Sequence, residues 1–257
     1  AQKWFKDLIR KIIHRKNTVN NVEYRNDPTI MAWQLANEPE GIDKPEVYRN
    51  WIYETADFIK ELDSNHLVSI GSEGNTPSPK NGTDFFNDHN YSSIDYCTFH
   101  LWVQNWGWYN PKKPEETYGN AILRASQYIN EHLEIARKLN KPIVLEEFGI
   151  SRDDNSYDVS SEVVYRNKYF KFIFQSILNY AQNLKQMSGV NFWAWGGEGR
   201  PRVPKAIWKT GDDFIGDPPH EYQGWYSVYD KDISTLIIIQ NFAEDFTSLN
   251  SELEGTK

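Results

Sequence analysis

The chain has 257 residues, 25% of them charged and 39% hydrophobic, which are the proportions of a folded globular protein rather than a disordered one. Its formal net charge of −8 argues against a nucleic-acid or anionic-membrane partner, and no run approaches the roughly 18 apolar residues that a membrane helix needs. A single cysteine, Cys97, excludes an intrachain disulfide framework and a cysteine-based zinc site, and in its apolar segment it reads as a small buried hydrophobe. Aromatic residues make up 15% of the chain, with 10 Trp, 15 Tyr and 13 Phe, a content that serves either a packed core or stacking on sugar rings, and composition does not choose between them. The opening AQKWFKDLIRKIIHRK has neither an initiator Met nor the apolar core of a signal peptide, so a processed or truncated product is expected.

Residues 4–16 carry Phe5, Leu8, Ile9, Ile12 and Ile13 between charges, the period of an amphipathic helix. Residues 30–36 form a nearly continuous apolar run that stops at Asn37, Glu38 and Pro39; such a run predicts a strand covered on both faces. Pro45 opens a helix whose apolar face holds Tyr48, Trp51, Ile52, Thr55, Ile59 and Leu62. Residues 67–72 read as a second strand, followed by a Gly/Pro/Asn loop through Asn90. Residues 96–99 read as a third, ending at His100 and running into the aromatic stretch LWVQNWGWYNPKKPEE.

A helix over 121–139 precedes a fourth strand at 143–145, which stops at Glu146, Glu147 and Gly149. A long helix over 161–185 is expected to close at Ser188-Gly189. The fifth strand, 190–195, leads into GGEGRPRVP, and a last helix covers 234–246. Regular βα alternation predicts an α/β fold with a parallel sheet, most simply a (β/α)₈ TIM barrel. Five βα units are visible, the fourth to eighth. Residues 1–257 then form a single domain lacking its first three barrel strands, about 100 residues.

Glu38 and Glu147 both follow strands, with three βα units of typical size between them. The strands of a parallel barrel point the same way, so both carboxylates are expected at one mouth. Two carboxylates so placed can cleave a glycosidic bond: one protonates the leaving oxygen, and the other attacks the anomeric carbon or activates a water. Glu38, on a short turn ended by Pro39, reads as the acid/base, with Asn37 able to hydrogen-bond a sugar hydroxyl. Glu147 reads as the nucleophile. Glu146 is its rival, and strand alternation puts the two on opposite sides.

DPTIMAWQLANEP, FHLWVQNWGW, KPIVLEEFGIS, NFWAWGGEGRP and GDPPHEYQGWYSVYDKDIST, in that order, resemble glycoside hydrolase family 5, and most of all its endo-β-1,4-mannanase branch. The resemblance implies a retaining double displacement with Glu38 as acid/base and Glu147 as nucleophile. Asn37 matches the family's 2-hydroxyl contact, and His100 its active-site histidine on the sixth barrel strand. Trp193 matches the aromatic floor, with Trp195 expected to project to the same side. Trp102, Trp106 and Trp108 are candidates for stacking sugars further along the cleft. Glu40 stands where the branch commonly has arginine after Asn-Glu-Pro, and the family's arginine on the second strand and histidine on the third have no counterpart here.

The implied substrate is mannan, glucomannan or galactomannan, and the implied location is secreted or in the cell envelope. No cofactor or metal is implied, and the first three barrel strands could be supplied by a companion fragment. Three other readings compete: an endo-β-1,4-glucanase of the same family, a catalytically impaired carbohydrate-binding fragment, and a metal-dependent hydrolase built on Glu38, His100 and Glu147. The last is weak, because no His-x-His or His-Glu-x-x-His spacing is present.

Overall fold

A computed structural model describes residues 1–254 apart from Pro79 and Lys185. Helices and strands follow in the order α1 (Gln2–Ile13), β1 (Ala32–Gln34), α2 (Pro45–Leu62), β2 (Leu67–Ser69), α3 (Phe85–His89), β3 (Cys97–Leu101), α4 (Pro114–Leu139), β4 (Ile143–Phe148), α5 (Val164–Leu184), β5 (Met187–Val190), β6 (Trp195–Gly197), β7 (Val228–Tyr229) and α6 (Ile233–Glu254). β1 pairs in parallel with β2, and β6 with β7, while β3, β4 and β5 lie in one sheet in that order. None of the described helices is long and apolar enough to cross a membrane. The residues fall into two compact units: Ala1–Phe99 with His132–Val144, and His100–Glu131 with the chain from Leu145 onward.

In the first unit, α2 starts with Pro45 in its first turn, where a missing N–H costs nothing, and has Glu46 near its N-terminus and Lys60 in its last turn. Its buried Tyr48, Ile52, Thr55, Ala56 and Ile59 recur at three- and four-residue spacing. They join Ile13, Leu35, Val68, Ile70 and Ile94 in the unit's core. Complete burial of Ile52 or Val68 contributes about 1.5–3 kcal/mol each. The Trp33 indole donates to Asp63 at 2.7 Å, and Asp63 also sits 2.6 Å from His66 Nδ1, tying β1 to the turn after α2. Burial opposes ionisation of Asp63, but these bonds and the Asn65 and His66 backbone N–H groups hold its carboxyl below the usual range.

In the second unit, Phe148 on β4 meets Tyr169, Phe170 and Phe174 of α5 with ring centroids 4.9–5.9 Å apart. Phe174 stacks on Phe242 of α6 at 4.4 Å. In the same unit Arg152 forks onto both oxygens of Asp232 at 2.7 and 2.6 Å, and Arg166 donates to the Ser227 carbonyl at 3.0 Å. Burial and the nearby Arg152 charge lower Arg166 to about 10, so it remains a cation at neutral pH.

Four expectations change. The apolar run around β1 is not covered on both faces: Met31 is 65% exposed and Gln34 is exposed, and β1 has one strand neighbour, β2, among the described residues. The predicted loop before Asn90 contains α3, capped by the Asp84 side chain accepting from the Asn87 N–H. Ser188 and Gly189 lie inside β5 instead of closing a helix, and Lys185, the predicted helix end, lies outside the described residues. The predicted fifth strand divides into β5 and β6, with residues 191–194 between them in neither.

Candidate functional site

In the first unit, Glu38 lies four residues beyond the end of β1. The Leu35, Ala36 and Glu38 N–H groups donate to the Ser69, Ile70 and Gly71 carbonyls at 3.1, 3.3 and 2.8 Å, so the β1–β2 register carries past the strands and fixes the Glu38 backbone. That closeness requires glycine at 71, whose φ is +77° and whose added Cβ would lie 2.0 Å from the Ala36 oxygen. Glu38 itself has φ +47°, a left-handed conformation that costs a non-glycine residue about 1–2 kcal/mol and is concentrated at functional sites. Glu38 is half-buried and Asn37 exposed. Beside them a hollow of about 440 Å³ is lined by Pro39, Glu40, Lys44, Tyr48 and Trp51 among others.

In the second unit, pleating separates the two neighbouring glutamates of β4. Glu147 is buried at 9% exposure, whereas Glu146 is half-buried on the other face. The Glu147 Oε2 lies 3.2 Å from Nδ1 of the buried His100 on β3. Gly149 follows because the chain at 193 closes on it: an added Cβ would lie 2.5 Å from the Trp193 oxygen, and the Trp193 N–H donates to the Phe148 carbonyl at 2.9 Å.

The five tryptophans singled out in the sequence are placed differently, and Trp102 and Trp193 are the two that lie against Gly149 at this strand end. Trp102 is 8% exposed and meets Trp193 edge-on, with centroids 6.4 Å apart. Trp193 is half-buried, and the Trp193–Ala194 peptide is cis. Trp195 opens β6 with 55% exposure, and since residues 191–194 are outside any strand, two-residue alternation does not relate it to Trp193. Trp106 is half-buried against Trp108 and Tyr128 at 4.9 and 5.0 Å. Trp108, expected as a stacking face, is instead a core residue: it is 6% exposed, with the Arg124 guanidinium 4.4 Å from its ring centroid.

Sequence reasoning passed over the polar frame of this wall. The Asn155 Oδ1 accepts from both Gln104 Nε2 and the Trp225 indole at 3.0 Å, and the Gln104 Oε1 accepts from the Ser151 N–H at 2.9 Å. Trp225 stacks on Tyr226 at 4.9 Å, Tyr226 lies 5.1 Å from Trp102, and the Tyr226 hydroxyl donates to Asn105. The buried Asp217 accepts from the Gly224, Trp225 and Tyr226 N–H groups and from the Ser227 hydroxyl, locking the segment that presents these rings. Burial outweighs those bonds and raises the Asp217 carboxyl above its ordinary value. All of these residues except Asn155 stand inside motifs already notable in the sequence, but their partners are set by folding.

A family model described as GH family 5 beta-mannosidase-like matches residues 1–251. The chain belongs to that family. It is 31% identical over 242 residues to mannan endo-1,4-beta-mannosidase 5 of Arabidopsis thaliana, covering 88% of this chain and 52% of the relative. It is 36% identical over 183 residues to mannan endo-1,4-beta-mannosidase 1 of Solanum lycopersicum, covering 65% and 45%. The crystal structure of a glycoside hydrolase family 5 mannosidase from Rhizomucor miehei matches with a TM-score of 0.87 at 38% identity, over 98% of this chain and 59% of that one. A variant of that enzyme has been solved with mannosyl-fructose. This family 5 chain thus spans about half the length of the curated relatives it matches, and it carries a partial set of the strands of the (β/α)₈ barrel fold.

Proposed function

We propose that this family 5 chain carries the machinery for retaining, endo-acting hydrolysis of β-1,4-mannosidic bonds in mannan, glucomannan or galactomannan. The observation that carries the reading is the buried Glu147 carboxylate held 3.2 Å from His100 Nδ1, with its neighbour Glu146 turned to the opposite face. In the first step a Glu147 oxygen bonds to the anomeric carbon, the glycosidic C–O bond breaks, and the Glu38 carboxyl gives its proton to the leaving oxygen. In the second, the Glu38 carboxylate takes a proton from water, the water oxygen bonds to the anomeric carbon, and the ester bond to Glu147 breaks, restoring both groups. His100 orients the nucleophile, Asn37 binds the 2-hydroxyl, Trp193 supplies the floor, and Trp102, Trp106 and Trp195 offer further sugar contacts. Neither step uses a metal or cofactor, and full activity after dialysis against a chelator is the expected result.

The test is reducing-sugar release from β-mannan beside cellulose. Cleavage of mannan with cellulose left intact supports the assignment; the reverse result identifies a glucanase and overturns it. Binding without release would mean a carbohydrate-binding fragment. Intact-mass analysis of the same sample shows whether activity accompanies a companion fragment bearing the first three barrel strands. A second reading, release of single mannose units from short β-mannosides, is favoured by the 38% identity to a mannosidase solved with a disaccharide. A ladder of oligosaccharides in the digest indicates endo action, and mannose alone indicates this second mode. For either substrate class we place the protein outside the cytoplasm, secreted or in the cell envelope, where such polymers are met; fractionation of the producing cells tests that.

A further inference from the structure

The segment after β6 builds a second aromatic surface that the catalytic reading does not use. Phe214 is 79% exposed, yet it is not loosely held. Its ring stacks on the half-buried Trp208 at 5.2 Å with the planes 21° apart. The Trp208 indole donates to the Asp212 carbonyl at 3.2 Å. The Asp212 carboxylate accepts from Arg202 Nε and from the Lys209 N–H at 3.0 Å, while the neighbouring Asp213 accepts from the Arg200 N–H at 2.9 Å. Leaving so large an apolar ring in water while anchoring its support with this many polar contacts is what a stacking platform requires.

The platform also adjoins the segment carrying the aromatic floor. An added Cβ at Gly199 would lie 2.8 Å from Ile215 and 3.3 Å from Asp213, and one at Gly216 would lie 2.2 Å from the Ala194 Cβ. Residues 213–216 therefore pack directly on the stretch that contains Trp193 and Trp195. At the rim the Arg202 and Asp212 charges neutralise each other, and an exposed aromatic face beside a neutralised pair suits a neutral polyhydroxylated ligand.

We propose that Phe214, backed by Trp208, is a sugar-stacking platform that holds a β-1,4-linked mannan chain beyond the residues at which it is cut. The inference rests on the mannan reading above. It is tested by affinity electrophoresis in gels containing soluble mannan, with every protein carrying Glu147→Ala so that the polymer stays intact. Phe214→Ala is expected to weaken retention roughly three- to tenfold, and Phe214→Trp to restore it. Because the ring is exposed, the substitution leaves the fold intact. With Glu147 present, hydrolysis of a short aryl β-mannoside should be unchanged by Phe214→Ala while kcat/KM on mannan falls. Equal retention of the Phe214→Ala and Phe214 proteins overturns the platform and leaves the mannan reading standing. No retention of either protein together with no cleavage of mannan removes both.

Discussion

Glu146 and Glu147 are adjacent and chemically identical, and the pleat of β4 gives them different surroundings. Replacement of Glu147 by Ala should remove turnover of mannan by several orders of magnitude while leaving oligosaccharide binding largely in place, since the covalent step has no other oxygen nucleophile to use. Glu146→Ala should retain most activity. Single-turnover assays of both variants decide the matter, and the reverse pattern would exchange their roles. Glu38→Ala should spare aryl mannosides with good leaving groups far more than mannan, because acid assistance matters least when the departing oxygen is already stable. The pairing of Glu147 with His100 depends on two strands meeting at one height, which no local sequence pattern shows.

At the level of elements, the second unit is tied together by charge as much as by aromatic packing. Asp232, just before α6, receives Arg152 from the loop after β4 and accepts the Tyr229 N–H from β7 at 2.9 Å. Arg166 of α5 lies 3.5 Å from the same carboxylate. Asp232→Ala would leave two buried guanidinium groups without their shared anion and should destabilise the protein by about 3–5 kcal/mol. A lowered denaturant midpoint in equilibrium unfolding checks this; an unchanged midpoint would mean that water solvates the arginines and the cluster is not a structural tie. The five main βα periods were legible because buried residues recur at 3.6-residue spacing in the helices and as short apolar runs in the strands. Helix α3, five residues long, was not, because a single turn has no period to read.

At the scale of the whole molecule, two neighbouring groups on α3 give stability opposing responses to pH. Burial raises Asp88 to about 6, so the contribution of its protonated form is complete below about 4 and is lost as pH rises through 6. Burial lowers His89 to about 3, so the contribution of its neutral form is complete above about 6.5 and is lost as pH falls. Between pH 6 and 4 the two slopes partly cancel, each approaching 1.4 kcal/mol per pH unit at most. Asp88→Asn should therefore make Tm fall more steeply over that window than in the parent protein, as thermal unfolding at stepped pH will show. A parallel shift of the two curves would mean that these groups do not govern acid stability.

What the sequence determined by itself was the alternation of strand and helix and the kinds of residue at the strand ends. Those features are local, set by side-chain period, by proline and glycine, and by short stretches such as Asn37-Glu38-Pro39 and Glu147-Phe148-Gly149. The tertiary structure decided which side chains meet. It set Glu147 against His100, sent Trp108 into the core, and used Asn155 and Asp217 to fix Trp225 and Tyr226 beside Trp102. Each of those outcomes depends on contacts between residues far apart in the chain, whose partners exist only once the strands have chosen their register and their depth.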